Sequence, residues 1–295
     1  GFHTIPRWYD GRPIQRVDQL GQMIGAGGCV RQSKADARWL YRWASVGDRV
    51  VVAAGRPCGG CPNCRRGDTG TCLRMQVMAF AYDGAWAEYT VAQAVGLTLV
   101  PDNVPLEQAA ILADAVSTPF GAVVHTGKVA VGESVGVWGV GGVGTRVVRL
   151  ARLVGAAPII AVDINPVARD RALDLGADAA FDSQDPALAE RIDEVTGGRK
   201  LDVAFDAVGL KTTFEQALDG LTTGGRLVAV GMSDQCPTVG PTSMFGVSRK
   251  QVLGHLGYQN ADIATLARLV SLGRLDLSRS ISRIIPLADI REGID

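Results

Sequence analysis

A chain of 295 residues, 47% of them hydrophobic, is longer than one core ordinarily serves and can fill two domains. Thirty basic residues balance thirty acidic ones and neither sign runs in a block, which argues against nucleic acid or anionic lipid and for a small-molecule partner. No apolar run reaches the roughly 18 to 20 residues that cross a bilayer, and Gly1 does not begin a basic-then-apolar signal, so a soluble cytoplasmic protein is expected.

Residues 1–45 sustain neither a period of 3.6 nor one of 2. From Val46, the run Gly47-Asp48-Arg49-Val50-Val51-Val52 reads as a turn entering a buried strand, and Trp86 to Val91 alternates like another. Between them lie four of the six cysteines, at 58, 61, 64 and 72, in the spacing Cys-x2-Cys-x2-Cys-x7-Cys. Four thiolates so spaced can converge on one Zn²⁺ and leave no position for substrate, which makes the site structural. Two disulfides or four free thiols are the alternatives, but a tight cluster in a long intracellular chain suits a metal better.

Beyond Val104 the pattern turns helical at 106–113 and 118–126. Strand and helix then alternate: strand 135–140, helix 143–154, strand 158–163, helix 166–175, and strands at 202–206 and 226–230. This order predicts a doubly wound parallel sheet in the second half and a mainly β first half. The first strand runs into Gly139-Val140-Gly141-Gly142-Val143-Gly144, which opens a helix, and Asp163 ends the next strand nineteen residues later. In that context the glycines suit a dinucleotide: Gly139 for the tight turn, Gly141 for close approach to the pyrophosphate, Gly144 for contact between helix and strand. Asp163 would bind the adenosine ribose and repel a 2′-phosphate, favouring NAD, although Arg169 stands one turn further on. The plainer reading of Asp163 is a strand-ending cap for the helix that Asn165 and Pro166 begin.

From position 46 onward these residues resemble the zinc-containing medium-chain dehydrogenases and reductases. The likeness runs through Val46-Gly47-Asp48-Arg49-Val50, the four-cysteine lobe, Gly84-Ala85-Trp86-Ala87-Glu88-Tyr89, the glycine loop and Pro286-Leu287-Ala288-Asp289-Ile290. It implies an incomplete GroES-like catalytic domain over 1–115 and 258–295, with the zinc lobe at 56–75, and a Rossmann NAD-binding domain over 116–257. It also implies hydride transfer between NAD and a small alcohol, aldehyde or ketone, and one structural zinc per chain. Asp114 falls at the family's third catalytic-zinc ligand and Thr118 at a nicotinamide contact. Asn165, Val208 and Gly231 join Gly139, Gly141, Gly142, Val143, Gly144 and Asp163 as candidate cofactor contacts.

At the family's Gly-His-Glu segment this chain has Gly21-Gln22-Met23, and neither replacement is a good zinc ligand. Gly1-Phe2-His3 resembles the stretch after the catalytic cysteine, and Asp295 precedes a final helix and strand, so the likeness implies truncation at both ends. Cys29 lacks a His partner at motif spacing, and His3, His125 and His255 carry no signature. The expectation is therefore no stable catalytic zinc and slow or absent turnover, with a catalytically silent NAD-binding protein or assembly partner as the second reading. A zinc-independent quinone or enoyl reductase is a third, but those relatives usually lack the cysteine lobe. The resemblance further implies a homodimer or homotetramer paired through the edge at 251–257.

Overall fold

The computed structural model describes residues 47–86 and 89–293, with the backbone alone at 2–3 and 30–31. It divides into two compact units, residues 1–113 with 259–295, and residues 114–258.

In the first unit, β1 (Phe2–His3) and β2 (Val30–Arg31) pair in parallel. β3 (Val50–Val52), β4 (Gly55–Arg56), β5 (Gln76–Val77) and β6 (Leu97–Leu99) form two antiparallel ribbons, β3 with β6 and β4 with β5. The cysteine segment leaves at the end of β4 and returns at β5, so this short ribbon is its stem. Val51, Val100 and Val104 are buried, and Asn103 donates through Nδ2 to the carbonyl of Ser271 at 2.8 Å, fastening the closing helix Asn260–Ser271. The strand expected over Trp86–Val91 is not found at its described residues, 86 and 89–91. Trp86 and Tyr89 are 70% and 69% exposed, so alternation here does not bury a face among the described residues.

Within the same unit come α1 (Pro62–Arg65) and α2 (Leu106–Ala110), the second shorter than its expected span to 113. A π turn at Leu112–Val116 carries the chain into the second unit, which continues with α3 (Ser117–Phe120) and a second π stretch at Gly121–Thr126. Asp114 sits at φ 70°, a left-handed conformation that ends the α pattern, and the Ser117 hydroxyl accepts its amide proton at 2.8 Å. His255 Nε2, 2.9 Å from the Thr118 carbonyl, competes with the regular ladder one turn later.

The second unit is a single six-stranded parallel sheet in the order β12-β11-β10-β7-β8-β9. Its elements are β7 (Val135–Trp138), α4 (Gly142–Val154), β8 (Ile159–Val162), α5 (Pro166–Asp174), β9 (Ala179–Phe181) and α6 (Leu188–Thr196). They continue with β10 (Leu201–Asp206), α7 (Lys211–Asp219), β11 (Leu221–Ala229), α8 (Thr242–Ser248) and β12 (Gln251–Gly254). β7 and β8 are buried along their whole length, as a sheet covered on both faces requires. On one face Trp138, Ile160, Val162, Ala204 and Leu227 meet Leu188 and Ile192 of α6 and Ala217 and Leu218 of α7. Asn165 caps α5, its Oδ1 accepting from Val167 N at 2.9 Å, with Pro166 at the first helical position as the sequence predicts.

A bidentate ion pair ties the loop before β7 to β11. Arg226 Nη1 and Nη2 meet the two Glu133 oxygens at 2.9 and 2.6 Å, and Ala130 N donates to the same carboxylate at 2.8 Å. Burial works upward on the Glu133 carboxyl, but the Arg226 and Ala130 hydrogen bonds outweigh it, and it lies below its ordinary value. A carboxyl depressed in the folded state stabilises above its unfolded pKa, about 4.3, and loses that contribution as pH falls through the folded value. Glu133→Gln should therefore lower the urea midpoint at pH 7, and the deficit should shrink steadily below about pH 4. A deficit unchanged between pH 7 and 3 would remove the charge from the account.

Candidate functional site

The cysteine lobe is built by local geometry. Cys61 caps α1, and Pro62 starts that turn without wasting a donor. The four Sγ atoms of Cys58, Cys61, Cys64 and Cys72 all lie within 4.8 Å of one another, with Cys61 and Cys72 4.0 Å apart. A tetrahedral zinc with S ligands near 2.3 Å sets its sulfurs about 3.8 Å apart, so the cluster needs only slight tightening to fit. Backbone amides point at the sulfurs: Cys58 N to Cys72 at 3.2 Å, Arg74 N to Cys72 at 3.4 Å and Cys64 N to Cys61 at 3.5 Å. Arg74 Nη2 adds a charged donor to Cys58 at 3.5 Å. The Gly60 N–H leads the donors that bring the Cys58 thiol down to about 6, while burial pushes Cys64 up to about 12. Four thiols this close cannot all ionise without a cation among them, so the donor set is that of a metal centre rather than of four independent cysteines. All four are free thiols, which removes the disulfide alternative.

The second site lies at the carboxyl ends of β7 and β10, where the strand order reverses and ligands of doubly wound sheets bind. Gly139 takes φ 80° to leave β7, and Gly141 is the N-cap of the thirteen-residue α4, whose first amides have no intrahelical partner and whose Gly142 is exposed. A Cβ on Gly144 would stand 1.9 Å from the Gly139 carbonyl oxygen, so only glycine lets α4 start against the strand. Both Asp163 oxygens take backbone protons, Oδ2 from Val140 N and Oδ1 from Asn165 N, each at 2.8 Å. These bonds aim the carboxylate and leave a lone pair on each oxygen for a ligand hydroxyl. Arg169 is spoken for: it donates to the Asp163 carbonyl at 2.7 Å and to Asp182 at 3.1 Å. A cavity of about 930 Å³ opens beside this acid, lined by Gly139, Asp163, Ile164, Val208, Leu210 and Thr213 among others.

Asp206 was not legible as a site residue. It is fully buried, and its Oδ1 accepts from Val208 N, Gly209 N and Thr213 Oγ1 at 3.0, 3.1 and 3.0 Å, while Oδ2 meets no hydrogen-bond donor among the described residues. It thereby fixes the turn that presents Val208, and its own carbonyl accepts from Gly231 N at 2.9 Å. The available signal was an acid closing β10 as Asp163 follows β8. Asp114 and Thr118 are brought together, Thr118 Oγ1 donating to Asp114 Oδ1 at 2.7 Å. His255, expected to be a structural or surface residue, bridges the Thr118 carbonyl and the Thr126 hydroxyl, its Nδ1 2.8 Å from the latter. His125 stands edge-on to Phe120. Gln22, Met23, Cys29 and the side chain of His3 lie outside the described residues.

A parallel sheet with a glycine-rich loop, in one chain with a four-thiol lobe, defines a dinucleotide-fold protein carrying a metal-binding module. The profile of the zinc-binding dehydrogenases matches residues 142–271, and that of the alcohol dehydrogenase GroES-like domain matches residues 20–102. L-threonine 3-dehydrogenase of Alteromonas mediterranea is 30% identical over 282 residues, 94% of this chain and 77% of that protein. The solved alcohol dehydrogenase TADH of Thermus sp. ATN1 superposes with a TM-score of 0.78 at 30% identity, covering 85% of this chain and 74% of its own. A zinc-binding dehydrogenase of Sinorhizobium meliloti 1021 bound to NADP gives 0.78 at 25% identity, over 86% and 74%. The chain belongs to the zinc-type medium-chain dehydrogenase and reductase family and is by family an oxidoreductase.

Proposed function

We propose that the chain binds NAD at the glycine loop and belongs to reactions that interconvert a small alcohol with its aldehyde or ketone, with one zinc held structurally by Cys58, Cys61, Cys64 and Cys72. The observation that carries this reading is the Asp163 carboxylate, aimed by two backbone amides beside a glycine turn that no other residue can make. NAD, when bound, supplies the hydride acceptor. The amides at the head of α4 would receive its pyrophosphate, helped by the helix dipole, and Asp163 would accept protons from the adenosine ribose hydroxyls. Val208 and Gly231 would contact the nicotinamide half, and so would Thr118, whose hydroxyl donates to Asp114. Gly21-Gln22-Met23 stands where the family has its zinc-binding histidine segment, and Asp114 is the candidate ligand present. Glutamine and methionine hold zinc poorly, and without a Lewis acid an alcohol oxygen loses its proton only near its own high pKa. Turnover is accordingly expected to be very slow, and alcohol-dependent NAD reduction at ordinary enzyme rates would overturn that part.

Asp163→Asn tests the cofactor reading directly. It keeps the shape and removes the charge, so NADH affinity should fall about 10-fold while NADPH loses less or gains. Equal losses for the two nucleotides would remove Asp163 from the ribose site. Self-association through β12 is part of the same proposal. Among the described residues β12 pairs only with β11, and Val252, Met244, Val247 and Leu256 are exposed around it. Sedimentation velocity should give a dimer or tetramer, and a monomer at micromolar concentration would exclude it. Among the described residues no helix is long and apolar enough to cross a membrane.

A further inference from the structure

Arginines that serve structure in the second unit are paired with carboxylates. Arg226 grips Glu133, Arg169 meets Asp182, and Arg152 meets Asp178. Two others are not. Arg146, in the second turn of α4, folds its Nη1 back onto the Gly142 carbonyl, and its Nε is buried without a hydrogen-bond partner among the described residues. Arg171, on α5, reaches across with Nη2 to the Val140 carbonyl at 3.2 Å. Both guanidiniums thus rest on carbonyls of one five-residue turn, 139–143, and among the described residues neither meets a carboxylate. Burial first, and then the neighbouring Arg171 charge, lowers the Arg146 pKa below its ordinary value, so the two cations oppose each other. A half-buried cation beside a second like charge is costly unless an anion comes between them.

We propose that Arg146 and Arg171 are a phosphate-binding pair that neutralises the pyrophosphate of the dinucleotide held at the head of α4. The inference rests on the reading of the glycine loop as a dinucleotide site. The helix amides alone present partial charge, whereas a diphosphate carries two full negative charges, and a planar guanidinium matches its oxygens in bidentate fashion. The side chain of a helical residue leans toward the helix N-terminus, which is the direction Arg146 takes. A 2′-phosphate is the less suited partner, because the Asp163 carboxylate bonded to Val140 N occupies the ribose side of the same turn.

NADH titrations followed by fluorescence, on the intact chain and on Arg146→Gln, Arg146→Lys and Arg171→Gln, test this. Arg146→Gln should weaken NADH about 10-fold and flatten its salt dependence, with Arg146→Lys restoring most of both. ADP, used as a competitor, should lose affinity by the same factor and adenosine by none. The NADPH to NADH ratio should stay unchanged. Equal losses for ADP and adenosine would reduce the pair to a structural role, and a loss confined to NADPH would assign it to a 2′-phosphate; either overturns the proposal. Should Arg146→Gln not fold, the exposed Arg171 carries the same comparison. Failure of the intact chain to bind NADH would overturn the dinucleotide reading itself, which differs from a variant that binds unchanged.

Discussion

Replacing Cys61 by alanine is expected to take the zinc content of the purified chain from one per molecule to near zero and to open the segment 56–75 to proteases. Cys61 is buried, caps α1, and accepts the Cys64 amide, so its sulfur organises the turn as well as one corner of the tetrahedron. Little else holds this segment. Leu73 is 69% exposed, α1 buries no residue, and the two-residue ribbon of β4 and β5 is too short to stand alone. Structural zinc contributes about 10 to 16 kcal/mol of apparent binding energy in small zinc modules, and that binding energy is folding energy. Removing one of four thiolates forfeits much of it, so the remaining three should not retain metal through mild chelation. The second unit has its own core of Trp138, Phe205, Ile160 and their neighbours, and NADH binding should survive the substitution. Elemental analysis with limited proteolysis decides the matter. Full zinc in the alanine variant would mean that the fourth ligand is another group, and the lobe would have to be rebuilt around it.

Much of this architecture can be read from the residues, and the parts that cannot share a reason. The glycine loop, the Asn165-Pro166 cap and the cysteine spacing are local features: each needs only its own few residues to state its geometry. The π turns at 112–116 and 121–126 are not local, because they depend on Ser117 and on His255, which lies far along the chain. Trp86 to Val91 has the alternation of a strand, yet its described residues 86 and 89–91 are not in one, because alternation does not by itself supply a partner. Asp206 illustrates the same limit from within the site. It reads as an ordinary charged residue ending a strand, and only the folded turn gathers Val208, Gly209 and Thr213 on its one oxygen. Arg146 and Arg171 are twenty-five positions apart and meet because α4 and α5 start side by side from adjacent strands.

Gly144→Ala should be the most damaging single methyl in the second unit. The added Cβ would lie 1.9 Å from the Gly139 oxygen and 2.9 Å from its carbonyl carbon, and backbone atoms cannot rotate away as a side chain can. Restoring ordinary contact requires α4 to back away from β7 by roughly 1.5 Å, in a core packed as closely as a crystal. Overpacking of this kind costs about 1 to 3 kcal/mol, and an obstruction made of backbone belongs at the upper end. The functional loss should exceed the loss of stability. Binding groups displaced by about 1 Å can lose two orders of magnitude, so NADH affinity should fall about 100-fold while the zinc lobe keeps its metal. Gly142→Ala supplies the contrast: its Cβ would meet nothing nearer than Arg146 Nη1 at 3.7 Å, and alanine in the first helical turn should leave the urea midpoint unchanged or raise it. If Gly144→Ala bound NADH as tightly as the parent chain, the loop would not be the pyrophosphate site, because no pyrophosphate cradle built on the head of α4 tolerates that shift.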